Sequence, residues 1–248
     1  MTLAAEEQAT PPSPPPQSRN HLLAVVPPSE FLELRTHLTP VDLRPRQRLS
    51  ESNQDIEAVY FPHDAVLSMA AVDRDGGTIE VASVGCEGMS GLPVLLGTDQ
   101  SANRVSVQIG GQADRMDASV LRREARRHEQ FGRLLHLYTQ AFMTQIAQST
   151  ACNRLHSAEQ RLARWLLICR DRVRRDELPI TQETMAAMLG VRRATVTESA
   201  GDLQRSGVIR YRRGVIVIAD RPGLEAASCE CYDIVREEFD RLLGVRVG

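Results

Sequence analysis

The sequence predicts an α+β chain: a β-rich sandwich or roll first, then a long helix, then a winged helix-turn-helix. Three observations predict it. Between Leu43 and Asp117 apolar residues recur with period two in short runs split by turn signals, the pattern of half-buried strands. From Ser119 to about Asn153 the spacing becomes helical. The stretch Ile180 to Gln204, ITQETMAAMLGVRRATVTESAGDLQ, then reads as two short helices about a single glycine, followed by two β-rich runs.

Met1 to about Arg19 is rich in Pro, Ser and Gln around PPSPPP and is expected to be a solvated, polyproline-like tail. Asn20 to Leu38 holds two short helical patterns separated by Pro27, Pro28 and Ser29. The predicted strands are Ala58 to Phe61, Val66 to Val72, Thr78 to Val84, Val105 to Ile109 and Ala113 to Met116. Turn signals such as Pro62-His63-Asp64 and the Asp73 to Gly77 run separate them. Ser119 to His128 is a basic helix. The longer helix after it carries Phe131, Leu134, Leu135, Tyr138, Phe142, Ile146 and Ser149 as a stripe that could pack on its own domain or on a second subunit. Ser157 to Arg175 is a further amphipathic helix with the only tryptophan, Trp165, on its apolar side.

In the 180–204 stretch, Thr181 fits an N-cap and Glu183 puts a negative charge in the first turn, where the helix macrodipole favours it. Met185, Met188 and Leu189 form the apolar face, with Ala186 small enough for a close helix crossing. Gly190 falls where the chain must turn with a positive φ. Val191 plugs the corner, and the second helix begins near Arg192, burying Val196, Ala200 and Leu203. Its other face offers Arg192, Arg193, Ala194, Thr195, Thr197 and Glu198, near the N-terminus that reads base edges in a helix-turn-helix. Two arginines there oppose the macrodipole by about 0.3–1 kcal/mol each, a cost that a polyanion would reverse. Ser206 and Gly207 end the helix, and Val208 to Tyr211 and Val215 to Ile218 read as a hairpin joined by Arg212-Arg213-Gly214. A hairpin carrying Arg210, Arg212 and Arg213 directly after such a helix is a wing suited to phosphates. Thr181 and Gln182 complete the expected DNA-binding set.

From about Asn153 to Asp220 the chain resembles the DNA-binding domain of the Crp–Fnr family of bacterial transcription regulators. Arg161-Leu162-Ala163, Ile180-Thr181, Leu189-Gly190, Arg193, Thr195-Val196 and the Gly207 to Ile218 hairpin carry the resemblance. It implies a jelly-roll (cupin-like) sensor domain, a helix that makes the homodimer seam, and base-reading positions at Arg193, Ala194, Thr197 and Glu198. Arg193 agrees with the family's arginine, whereas Ala194 and Glu198 depart from the cyclic-AMP receptor's glutamate and arginine, so a different target sequence is expected. Ser199 stands where the family has a bulky apolar residue, and Ser199-Ala200-Gly201 suggests a close helix contact, since glycine within a helix otherwise costs about 1 kcal/mol. The resulting division is a tail at 1–19, a cyclic-nucleotide-binding-like roll at 20–128, a dimerisation helix at 129–153, the winged helix-turn-helix at 154–221 and a C-terminal helix at 222–248.

Gly85 to Ser106 corresponds to the family's phosphate cassette. Aligned on Gly91, Leu92 replaces the ribose-binding glutamate, and Ala102 and Asn103 replace the arginine and hydroxyl residue that hold the phosphate. A charge-assisted bond contributes about 1.5–3 kcal/mol, so the loss argues against cyclic AMP. Glu87 and Arg104 leave a shifted effector site conceivable, with Gly91, Leu92 and Asn103 beside it, although Arg104 is expected on the far side of its strand.

The net charge of −2 does not oppose DNA binding, because local charge decides it; every one of the 30 basic residues is arginine. No apolar run is long enough to span a bilayer and no export signal opens the chain, which predicts a cytoplasmic protein. Five scattered cysteines give no disulfide framework, and Cys229 and Cys231 are expected on one helix, running from Pro222 to Leu243, where residues two apart face opposite ways. They read as packing cysteines. His63, His128, His136 and His156 show no metal spacing, so no metal and no cofactor are expected. No nucleophile–base set suggests an enzyme. The expected partners are double-stranded DNA, a second copy of the chain and RNA polymerase. The alternatives are a protein–protein adaptor on a degenerate DNA-binding scaffold and a ligand- or redox-gated regulator.

Overall fold

The computed structural model describes residues 18–74 and 77–245. The predicted tail therefore lies almost wholly outside the described residues. Two short helices, α1 (His21–Ala24) and α2 (Pro28–Arg35), lead into the strands β1 (Thr39–Leu43), β2 (Arg48–Ser50), β3 (Ala58–Pro62), β4 (Val66–Val72) and β5 (Thr78–Val84). A one-turn helix α3 (Leu92–Leu95) precedes β6 (Asn103–Ile109) and β7 (Gly111–Asp117). Antiparallel pairing makes one sheet in the order β1-β7-β3 and a second in the order β2-β6-β4-β5. Alternating side chains from both, among them Val59, Phe61, Leu67, Val84, Val107 and Met116, fill the space between them. This is the β roll expected from the period-two runs, with β1 and β2 added at its start.

Next come α4 (Ala118–Arg127) and the long helix α5 (Glu129–Leu155). The stripe on α5, left open between two partners by the sequence, packs inward: Phe131, Leu135, Tyr138 and Phe142 join the roll's core. The C-terminal domain consists of α6 (Ala158–Val173), β8 (Glu177–Leu178), α7 (Gln182–Leu189), α8 (Arg193–Arg205), β9 (Ile209–Arg212) and β10 (Val215–Ile218), its strands forming a sheet in the order β8-β10-β9. Ser157 starts α6 with a full capping box, its hydroxyl accepting from the Gln160 N–H while the Gln160 side chain accepts from Ser157 N–H. Trp165 and Leu166 of α6 share one core with Met185, Val196, Leu203 and Ile216.

The single C-terminal helix expected from the sequence is two helices, α9 (Arg221–Ala227) and α10 (Cys231–Leu243), broken across Ser228 to Glu230. Leu224 of α9 lies in the C-terminal domain's core, whereas Val235, Phe239 and Leu243 of α10 lie against α5 in the core of the roll. Tyr232, in the first turn of α10, still belongs to the C-terminal domain's core, so the chain passes from one core to the other just after the break.

Candidate nucleic-acid interface

Each half of the helix-turn-helix is set by local chemistry. The Thr181 hydroxyl accepts the Thr184 N–H at 3.1 Å and caps α7. Gly190 ends α7 at φ +62°, the left-handed conformation that the turn requires. Arg192 occupies the N-cap of α8, where a donor-only guanidinium cannot accept the helix N–H groups, and the residue is exposed. Val196, Ser199, Ala200 and Leu203 are buried, and Arg193, Ala194, Thr197 and Glu198 are exposed, with Thr195 half-buried. Of the Ser199 to Gly201 run, Ser199 and Ala200 are buried. Gly201 is half-buried, and a side chain there would meet only the end of Arg205.

The wing turns through Arg213 (φ 51°) and Gly214 (φ 80°), both left-handed as a two-residue hairpin needs. Ile209, Ile216 and Ile218 face the core while Arg210, Arg212 and Arg213 are exposed. A side chain at Gly214 would lie 3.7 Å from Thr181 Cγ2, which sets the wing tip beside the start of α7. Gln182 reaches across from α7: its Oε1 accepts from Arg193 Nε and from Thr197 Oγ1, each at 3.4 Å. Thr181, Gln182, Arg193, Thr197 and the wing tip are thereby drawn together at one surface. None of Arg192, Arg193, Arg210, Arg212 or Arg213 takes part in a salt bridge among the described residues. Five unneutralised guanidinium groups in one domain make a surface ready for phosphates and base edges.

The residues weighed for an effector site are scattered. Gly91 (φ +87°) and Leu92, at the start of α3, line a cavity in the roll together with Ile56, Leu67, Met69 and Phe142. None of the residues lining that cavity is basic. Asn103 lies on β6 outside this lining, and Arg104 is held by Glu51 at 2.8 Å. Glu87, weighed as a ligand contact, finds its partners within the fold. It is 3 % exposed and spent inside the protein. Its Oε1 accepts from the Gly85 N–H at 3.0 Å and from Arg172 NH2 at 2.6 Å, and its Oε2 from Arg172 Nε at 3.2 Å. Arg172, from α6, also donates to the Ser83 hydroxyl at 2.6 Å and carbonyl at 2.9 Å. Burial acts most strongly and lowers the Arg172 guanidinium pKa, but the Glu87 charge and hydrogen bond, together with the neighbouring Cys169 and Cys86, carry the net shift upward. A Cβ at position 85 would collide with the Arg172 stem, so this glycine admits an arginine rather than a phosphate. The glycine-rich segment fastens the roll to the C-terminal domain.

Three of the cysteines also come together. Cys229 and Cys231 read as packing cysteines in the sequence, and the ligand atoms of Cys152, His156, Cys229 and Cys231 all lie within 4.8 Å of one another. Cys229 stands before α10 rather than on it, so the opposite-face argument does not apply. The available signals were Cys-x3-His, one turn apart at the end of α5, and the Cys-x-Cys pair.

Residues 160–227 match the Crp-like helix-turn-helix domain. No curated protein matches the chain in sequence. Among solved structures, FixK2 from Bradyrhizobium japonicum superposes with a TM-score of 0.62 at 17% identity, covering 77% of this chain and 98% of its own. TTHB099, a CRP-family transcriptional regulator from Thermus thermophilus, gives 0.60 at 15% identity, with 84% and 98% covered. The c-di-GMP-responsive global regulator CLP of Xanthomonas campestris gives 0.60 at 12% identity, with 77% and 98% covered. Residues 160–227 thus match a Crp-like helix-turn-helix domain, and the chain shares the fold of the solved Crp/Fnr-type structures.

Proposed function

We propose that the protein is a sequence-specific regulator that binds double-stranded DNA as a homodimer, with α8 in the major groove, and that cyclic AMP does not control it. The observation that carries this reading is the convergence of Gln182, Arg193, Thr197 and the wing tip at one surface whose arginines have no internal counter-charge. Arg193 reads a base edge and Arg210, Arg212 and Arg213 hold phosphates. Freedom from cyclic AMP is supported by a roll cavity lined without a basic side chain, since a phosphate needs one there. For the dimer, α5 keeps a second face outward through Arg133, Gln140, Met143, Ala147, Thr150 and Arg154, with Met143 61% exposed at its middle. Pairing two copies along this face gives two recognition helices for two half-sites. RNA polymerase is the partner of such a regulator once it sits beside a promoter.

Selection of bound duplexes from a random DNA pool, with no small molecule added, tests the reading. A near-palindrome with half-sites about one helical turn apart is the expected result, and it disappears with Arg193→Ala. A pool that stays random, with and without cyclic AMP, would sink the proposal in favour of an adaptor. Enrichment only with cyclic AMP would overturn its ligand part.

A further inference from the structure

At the junction of the two halves of the molecule lies a cluster that neither the roll nor the recognition surface uses. Cys152 is in the last turn of α5 and His156 caps that helix. Cys229 and Cys231 sit at the break between α9 and α10. All three cysteines are at most 3 % exposed. Cys152 Sγ lies 3.5 Å from Cys229 Sγ, and Cys231 Sγ lies 3.5 Å from His156 Nδ1. We propose that Cys152, Cys229 and Cys231, as thiolates, and His156 through Nδ1 bind one zinc ion that staples the end of α5 to the start of α10.

The spacing fits a single tetrahedral ion. Zinc–sulfur bonds of about 2.3 Å place neighbouring ligand sulfurs roughly 3.8 Å apart, and a zinc–nitrogen bond of about 2.0–2.1 Å brings sulfur and nitrogen slightly closer. The observed separations lie close to those values, and a set confined within 4.8 Å is too tight to span the several irons of an iron–sulfur cluster. Three thiolates and one imidazole are a known structural set for zinc, a d10 ion that tolerates tetrahedral sulfur and nitrogen ligands.

The surroundings fit as well. His156 Nε2 lies 3.2 Å from Glu230, the carboxylate partner that turns Nδ1 toward a metal. Gln148 Nε2 donates to Cys231 Sγ at 3.1 Å, which suits a thiolate acceptor better than a thiol. The negative end of α5 faces a cation, and Cys231 opens α10, where the positive end of the helix favours a thiolate. Three thiolates, a neutral imidazole and a divalent ion leave one net negative charge. Arg161 and Arg164 lie beside the cluster to balance it, and the Nε of each is buried without a hydrogen-bond partner. As each Zn–S bond forms, the thiol proton leaves to solvent, so binding strengthens with pH.

The consequence is mechanical. The ligands come from the helix that precedes the winged domain and from the segment that follows it, so the ion fixes that domain's entry and exit together. Losing zinc by chelation frees both.

The test is elemental analysis of the full chain purified under reducing conditions without chelator, together with cobalt titration of the stripped protein. About one zinc per chain is expected, with intense tetrahedral thiolate absorption on cobalt addition. Cys152→Ser and Cys231→Ser should lose the ion and Cys169→Ser should keep it. His156→Cys, which preserves a four-ligand set, should also keep it and guards against variants that merely fail to fold. Wild-type protein with background zinc and the weak spectrum of octahedral cobalt would overturn the proposal. So would a metal-free chain in which Cys152 and Cys229 are joined as a disulfide. Metal content is read without DNA, so its outcome is separate from that of the duplex selection.

Discussion

Arginine does opposite work at two places in this molecule. On the winged domain, Arg192, Arg193, Arg210, Arg212 and Arg213 stand exposed with no salt-bridge partner among the described residues. At the seam between the roll and α6, Arg172 is 2 % exposed and meets Glu87, Ser83 and Gln145. The chain uses arginine for every basic side chain, so residue type cannot separate the two roles. Surroundings separate them: an arginine whose anion lies inside the fold fixes structure, and one without an internal anion waits for an external one.

The sharpest way to break this comparison is at the seam. Arg172→Met leaves Glu87 buried without its cation, and denaturant unfolding should report a loss of about 3–5 kcal/mol. Replacing both residues with Met should recover much of it, because the desolvation of both charges is removed together. On the outer surface the reverse holds. Arg193→Ala should weaken specific binding by about 1–3 kcal/mol with the unfolding midpoint unchanged, read by fluorescence anisotropy on the selected duplex. Arg212→Gln should weaken all sequences alike and lower the slope of log affinity against log salt by about 1.

The seam should also respond to pH. Glu80, on β5 beside Trp165 and Met188, is pushed up to about 7 by burial, with Ser68 and Arg172 acting against that rise. A carboxyl whose folded pKa is raised contributes its full stability below the unfolded value near 4.5 and loses it as pH rises through 7. Thermal unfolding followed from pH 5 to pH 8 should therefore show a decline that Glu80→Gln removes; the same decline in the variant would assign it elsewhere. The smallest effect is expected at Gly201→Ala. Its neighbour is the flexible end of Arg205, and the better helix former should add about 0.5–1 kcal/mol.

The parts legible in advance were those written in local chemistry. The Thr181 cap, the Gly190 turn, the buried stripe of α8 and the Arg213-Gly214 hairpin each follow from neighbours in sequence. The period-two runs likewise gave the roll. What misled were residues whose partners are distant. Glu87 reads as a ligand contact until Arg172, 85 positions away, arrives beside it. Cys152 and Cys229, 77 positions apart, read as packing residues until the break at Ser228 turns the second cysteine toward the first. Nothing periodic marks that break, which lies where the chain passes from one core to the other.

By itself the sequence determined the element types, the winged helix-turn-helix and the surface it presents, since propensity, capping and periodicity act over a few residues. Only the tertiary structure decided which stripe of α5 faces its own domain, that the glycine-rich segment grips an arginine, and that three cysteines and a histidine meet at the junction. Those outcomes depend on which distant surfaces bury one another. That choice is made by the packing of the whole chain.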